Sequence, residues 1–362
     1  MKFFLVNCFL YAANVQSLAY TTVGPSQTSL FASRSSSKAL KRDDWAKSRG
    51  PSQTSLFASR SSSKALKRDD WAKSRGMTEG GGSAFANSQS TTNEHGLEII
   101  TLTSDRSSVS IYPFGGLVAS FKKDNQEFIA IRPDAKLDKS KPISGGLSFC
   151  WPQFGPGDET NNGIQQHGFA RNVDWAVDSV VANECVLSLQ PNDETNAMWG
   201  KDFHLTYKVA INADGNLDTT FTVKNVGTEA FNHQAALHSY YKVSDLTAGN
   251  LKIGGSFKGA KFLNKVLGEE QTEERDEIVI TEETDSVYMG VNDPSLSDSG
   301  TKKKLNIVNE GWKDTVLWSP WGSEAMGFNE FVCVESVLFD NTEVPAGGEW
   351  VGKMSLQPEN ID

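Results

Sequence analysis

Glu335 stands in the middle of the apolar run 331–339, flanked by Val332-Cys333-Val334 and Val337-Leu338-Phe339. A carboxylate there is costly unless water or a partner reaches it, which fits a pocket-facing position. An outward place on an edge strand is the more ordinary account of a lone glutamate. His238 lies in a second apolar run, AALHSYYKVSD at 235–245, where a hydrogen-bonded core histidine is the default. Carboxylate and imidazole are the side chains that general acid–base chemistry uses near neutral pH. A third stretch, SGGLSFCWPQFGPGDETNNGIQQHGFAR at 144–171, is dense in Gly, Pro and aromatic residues and ends on an arginine. Its Trp151, Phe154 and Phe169 either stack on the apolar face of a sugar ring or pack the loop onto a core, and composition favours neither. His233 and His238 are five residues apart, which on a strand turns them to opposite faces, so no metal site is expected.

These residues have to be positioned by β structure. Short alternating apolar runs recur at 97–102, 108–112, 117–121, 185–189, 203–211, 217–223 and 331–339. Turn signals such as Asp124-Asn125 and Asn225-Val226-Gly227 separate them. The segments 207–211 and 217–223, joined through Asp214-Gly215, read as a hairpin. No window carries a 3.6-residue apolar stripe through three turns. Many short strands at this spacing predict an all-β sandwich or barrel.

The 362-residue chain joins two physically different parts. Residues 1–76 hold 13 of the 35 Lys and Arg but only 4 of the 45 acidic residues, a net +9, and the rest carries −19. The acidic body argues against a nucleic-acid partner, because phosphate backbones require clustered cations. A small anion needs only one or two. Residues 1–19 have the layout of a signal peptide: Lys2, an apolar run from Phe3 to Ala13, and Ser17-Leu18-Ala19 before the cut. That run is too short for a permanent anchor, so no membrane anchor is expected in the mature protein. Residues 20–76 are rich in Ser, Lys and Arg, as transit peptides are. They include a 26-residue segment, Gly24 to Arg49, repeated without change as Gly50 to Arg75. A perfect copy marks a recent duplication or an artefact of the gene model rather than an architectural repeat, and its composition predicts disorder. This tandem leader, with Tyr20 after the cut, resembles the bipartite presequences of algae with complex plastids, which implies a plastid location. A secreted protein is the alternative, against which the free cysteines lean. Residues 77–95, with Gly80-Gly81-Gly82, read as a linker, and 96–360 as the folded domain. Cys150, Cys185 and Cys333 sit among apolar neighbours and read as buried free thiols.

In order along the body come Gly145-Gly146 leading into Cys150-Trp151-Pro152-Gln153-Phe154-Gly155, then Gln166-His167-Gly168-Phe169-Ala170-Arg171 with Asp174-Trp175. Ala236-Leu237-His238-Ser239-Tyr240 and Val332-Cys333-Val334-Glu335 follow. The series resembles the motifs of the glucose-6-phosphate 1-epimerases in the galactose mutarotase-like superfamily, with wording closest to the plant branch called apospory-associated protein C. The resemblance spans about residues 96–358. It implies a large antiparallel β-supersandwich, in agreement with the strand pattern. It also implies exchange of the α and β anomers at C1 of a hexose 6-phosphate, with neither metal nor organic cofactor. By the same resemblance Glu335 is the base and His238 the acid, while Gln166, His167, Arg171 and Asp285 contact the substrate. The small-molecule sugar or sugar phosphate is the expected partner, and the protein is expected to be a monomer.

One position departs from the pattern. Several family members carry an arginine that helps to bind the 6-phosphate where this chain has Ser144. Losing a guanidinium removes a charge-assisted contact of about 1.5–3 kcal/mol. Arg171 remains, with a fork suited to phosphate, and Arg132 or Lys141 stands upstream as a replacement. Free hexoses, as in the aldose 1-epimerases, are therefore the alternative substrate. A non-catalytic carbohydrate-binding protein is the alternative of another class, and the presence of both His238 and Glu335 speaks against it.

Overall fold

The computed structural model describes residues 87–157 and 164–362. The leader expected over 1–76 and the first part of the expected linker lie outside the described residues. In chain order the strands are β1 (Asn87–Thr92), β2 (Glu98–Thr103), β3 (Ser107–Tyr112), β4 (Leu117–Lys123), β5 (Gln126–Glu127), β6 (Leu147–Cys150), β7 (Ala176–Val181), β8 (Glu184–Leu189), β9 (Phe203–Ile211) and β10 (Leu217–Asn225). They continue as β11 (Phe231–Lys242), β12 (Leu251–Gly254), β13 (Lys261–Asn264), β14 (Glu269–Thr272), β15 (Thr284–Tyr288), β16 (Ser295–Asp298), β17 (Lys303–Glu310), β18 (Asp314–Ser319), β19 (Phe331–Val344) and β20 (Glu349–Asn360). Two sheets result. A 12-stranded sheet has the order β1-β2-β3-β4-β6-β11-β19-β18-β15-β13-β14, with β5 on β4, and an 8-stranded sheet the order β12-β16-β17-β20-β10-β9-β8-β7. The pairings between these strands are antiparallel. The all-β antiparallel supersandwich is the observed fold.

The expected hairpin shows why these residues fold this way. Phe203, Leu205, Tyr207, Val209 and Ile211 of β9 are buried in alternation, and β10 alternates in step with them. Register places Tyr207 opposite Phe221. Asn212 closes the turn, its Oδ1 accepting the amides of Asp214 and Asn216. Between the sheets the Phe149 ring on β6 lies 4.4 Å from both Tyr207 and Phe221. Burying each such ring contributes about 1.5–3 kcal/mol.

Strands β11 and β19 behave differently. Ala235, Ala236 and Leu237 are all buried, as is every residue from Phe331 to Leu338. A sheet covered on one side alternates, so an unbroken run shows that both faces are covered here. One face packs on the smaller sheet. The other carries the candidate site.

Two elements differ from expectation. β1 falls within the segment read as a linker; its polar side chains are nearly all exposed, and backbone pairing with β2 alone defines it. A short helix, α1 (Asp193–Met198), follows β8, where the sequence pattern marks no helix. A capping box starts it, in which Asn192 Oδ1 accepts the Thr195 amide and Thr195 Oγ1 accepts the Asn192 amide. Cys150, Cys185 and Cys333 are free and buried. No helix among the described residues is long and apolar enough to cross a membrane.

Candidate active site

His238 on β11 and Glu335 on β19 meet across two neighbouring central strands. The flanking register, Leu237 on Ser336 and Tyr240 on Cys333, sets them opposite one another. His238 Nδ1 lies 3.4 Å from Glu335 Oε1. That contact is not aligned as a hydrogen bond, and His238 Nδ1 and Glu335 Oε2 are buried without a protein partner. Glu335, 2 % exposed, is thus no edge residue, and His238 is no satisfied core histidine. Their chain neighbours Leu237 and Val334 belong to the core between the sheets, whereas Ala236, Val337 and Cys150 line the opposite face with them. His233 turns to the core side, where its Nδ1 accepts from Trp151 Nε1 at 3.2 Å. The two histidines diverge as the strand period requires.

Cross-strand rows define the floor of the site. Ser148 pairs with His238 on one side, and Val316 with Glu335 on the other. The next row carries Tyr240, Cys333, Trp318 and Asp285. Tyr240 stacks flat on His238, with ring centres 4.9 Å apart and planes 9° from parallel. Trp318 meets the same imidazole edge-on at 5.9 Å.

The chain after β6 brings the remaining candidates to this face. Trp151 and Gly168 form an isolated bridge, and the Phe169 amide donates to the Trp151 carbonyl at 3.0 Å. Only glycine suits position 168: its φ is 73°, and a Cβ there would lie 2.1 Å from the Trp151 oxygen. This anchor sets the His167 ring edge-on to His238, 5.5 Å between centres. The Gly155 amide donates to His167 Nδ1 at 3.2 Å, which leaves the ring proton on Nε2, where it can serve a ligand oxygen. Arg171, in the short 3-10 turn Ala170–Asn172, donates from Nη2 to the Gln166 carbonyl at 3.0 Å. Its Nε is buried without a protein partner. Gln166 is engaged through that carbonyl and is itself exposed. Asp285 accepts from Lys265 Nζ at 2.8 Å.

Burial governs the electrostatics. Glu335 is pushed well above the usual carboxyl value by burial and then by Asp285, against the pull of Lys265 and Arg171. His238 is pushed well below the usual imidazole value by burial and then by the charges of His167, Arg171, Lys265 and Arg132. His167 falls to about 3, through burial and then Arg171 and Lys265. Burial thus disfavours charge on both members of the pair, strengthening the hold of the carboxyl on a proton and weakening that of the imidazole. Burial also lowers His233, to about 4. Imidazole NMR is accordingly expected to find histidines 167, 233 and 238 all neutral at about pH 6, just below the unperturbed value. An imidazolium signal from His238 at that pH contradicts this charge assignment.

Sequence reasoning missed Lys265 and Trp318. Their places depend on the pairing of β13, β15 and β18, which no local pattern announces. Among the described residues no group of three or more His, Cys, Asp or Glu side chains is arranged to hold a metal.

A buried carboxyl and imidazole opposed on one face of a large β-sandwich supply the two kinds of group that general acid–base chemistry uses. Residues 98–357 match the aldose 1-epimerase family, and the chain belongs to it. A Cenchrus ciliaris protein bearing the name glucose-6-phosphate 1-epimerase is 31% identical over 285 residues, which cover 72% of this chain and 84% of the relative. An Escherichia coli K12 protein bearing the same name is 25% identical over 270 residues, 68% of this chain and 85% of its own. The structure of a Salmonella typhimurium protein described as a mutarotase superposes with a TM-score of 0.64 at 23% identity, over 73% of this chain and 91% of the other. Galactose 1-epimerase from Lactobacillus acidophilus NCFM superposes with a TM-score of 0.60 at 13% identity, over 77% and 100%. At these identities the superpositions speak to the fold.

Proposed function

We propose that this chain interconverts the α and β anomers of a hexose 6-phosphate at C1, with Glu335 and His238 exchanging the protons. The observation that carries this reading is the buried cross-strand pair, carboxyl and imidazole 3.4 Å apart. Ring opening removes a proton from the C1 hydroxyl and delivers one to the ring oxygen as the bond between C1 and that oxygen breaks. Glu335 takes the first proton, a stronger base than an ordinary carboxylate because burial raises its pKa. His238 gives the second, a stronger acid because burial lowers its pKa. Rotation about the C1–C2 bond presents the other face of the aldehyde. Both protons then return, and the ring closes as the other anomer.

The charges balance through the cycle. The pair begins as carboxylate and imidazolium and stands as carboxyl and neutral imidazole beside the open-chain aldehyde. Burial favours the second arrangement, so the site is complementary to the open-chain intermediate. A phosphate dianion at Arg171 offsets one of the charges that hold His238 down, which favours the imidazolium that the cyclic sugar requires.

The relatives named for glucose 6-phosphate support the phosphorylated substrate. So does Arg171, whose guanidinium has no carboxylate partner among the described residues and whose Nε is buried unpaired. Ser144, in place of an arginine, favours the second reading, turnover of free hexoses. Arg171→Met separates the two. Loss of a charge-assisted contact of about 1.5–3 kcal/mol is expected to lower kcat/KM for glucose 6-phosphate about 10- to 100-fold, with a smaller loss for glucose. Equal losses for the two sugars point to free hexoses instead.

A further inference from the structure

Arg132 lies beside the acid–base pair on a segment outside the motifs that define the site. The segment is stitched to site strands on both sides. The Ala130 amide donates to the Tyr240 carbonyl at 2.9 Å, the Gly146 amide to the Ala130 carbonyl at 2.8 Å, and the Arg132 amide to the Ser144 carbonyl at 3.0 Å. Ala130 packs with Tyr240, Phe331 and Cys333 on the site face, and Ile131 packs with a different cluster. Alternation along an extended chain returns Arg132 to the site face. The guanidinium there is fixed: Nε and Nη2 fork onto the two oxygens of Asp134 at 2.9 and 2.6 Å, and the side chain is 12 % exposed. Burial works against its charge, and Asp134 together with Tyr240 more than offsets it. Its charge acts on Tyr240 and on His238, which stack on one another.

We propose that Arg132 is a specificity-determining residue, presenting its remaining N–H donors to the phosphate of a phosphorylated sugar alongside Arg171. This rests on the hexose 6-phosphate reading above. A guanidinium has five N–H donors, and the Asp134 fork uses two. The fork orients the group in advance, so less freedom is lost when a phosphate arrives. A phosphate carrying nearly two charges competes well with a single carboxylate for what is left. Ser144, bonded through its backbone to Arg132, keeps the adjoining position uncharged, where a second guanidinium would repel the first.

The competing account makes Arg132 a brace for Tyr240, which would affect every sugar alike. Anomer exchange is therefore measured with glucose 6-phosphate and with glucose, in Arg132→Met and in Arg132→Met combined with Ser144→Arg. The ratio of kcat/KM for the two sugars is expected to fall about 10- to 100-fold in Arg132→Met, mainly through KM. Ser144→Arg is expected to recover part of that ratio by returning a guanidinium to the adjoining position. Should Arg132→Met fail to fold, Arg132→Lys keeps the charge, loses the fork and is expected to lower the ratio in the same direction. An unchanged ratio in the Arg132 variants, or a lowered one that Ser144→Arg does not raise, overturns the proposal. Absence of any glucose 6-phosphate exchange by the wild type is a different result, and it removes the parent reading instead.

Discussion

Glu335→Gln is expected to abolish anomer exchange while the protein still folds and binds sugar. Glutamine matches the shape of a protonated glutamic acid but cannot accept the proton of the C1 hydroxyl. General acid–base groups contribute about 10²–10⁴-fold, so kcat is expected to fall roughly a thousandfold, about 4 kcal/mol of barrier. The stability of the variant is expected to stay within about 1 kcal/mol of the wild type. The reason is that burial disfavours the charged carboxylate at this position, and an amide of the same size brings no charge into it. Exchange rates, a sugar-phosphate titration and calorimetry measure the three quantities. Retained exchange identifies another base, and loss of binding together with exchange makes Glu335 structural.

Gly168→Ala is expected to have the largest effect on the fold. Its φ of 73° is unfavourable for alanine, and the added Cβ would meet the Trp151 carbonyl oxygen at 2.1 Å. Neither atom belongs to a flexible side chain, so the backbone has to move. Left-handed strain and overpacking together cost about 2–5 kcal/mol, which lowers Tm by roughly 5–15 °C for a domain of this size. The same shift carries His167 away from His238 and weakens exchange. An unchanged Tm contradicts the anchoring role given to the bridge between Trp151 and Gly168.

The sandwich was legible wherever a strand buries one face only. β9 and β10 alternate so regularly that their hairpin, turning through Asp214-Gly215, could be read directly. β1 was not legible, because backbone pairing holds its polar residues and no apolar pattern marks it. For the site, the residue types showed only that Glu335 and His238 are out of place in apolar strands. Their opposition is a property of the β11–β19 register, and family resemblance rather than any local pattern pointed to it. The loop residues His167 and Arg171 came from the same motifs. Their geometry depends on a Gly155 amide and a Gln166 carbonyl, which a string of letters does not distinguish from any other backbone. Lys265 and Trp318 stayed hidden because strands distant in sequence bring them together. Arg132 was visible as a cation near Ser144, but its fork onto Asp134 and its place beside Tyr240 needed the fold.

The central claim, that the cross-strand pair opens and closes a sugar ring, is tested most directly by magnetization-exchange NMR between the C1 protons of α- and β-glucose 6-phosphate. With the wild-type protein, exchange faster than the spontaneous rate and proportional to protein concentration is expected. Exchange at the spontaneous rate, at concentrations where the sugar phosphate demonstrably binds, contradicts it.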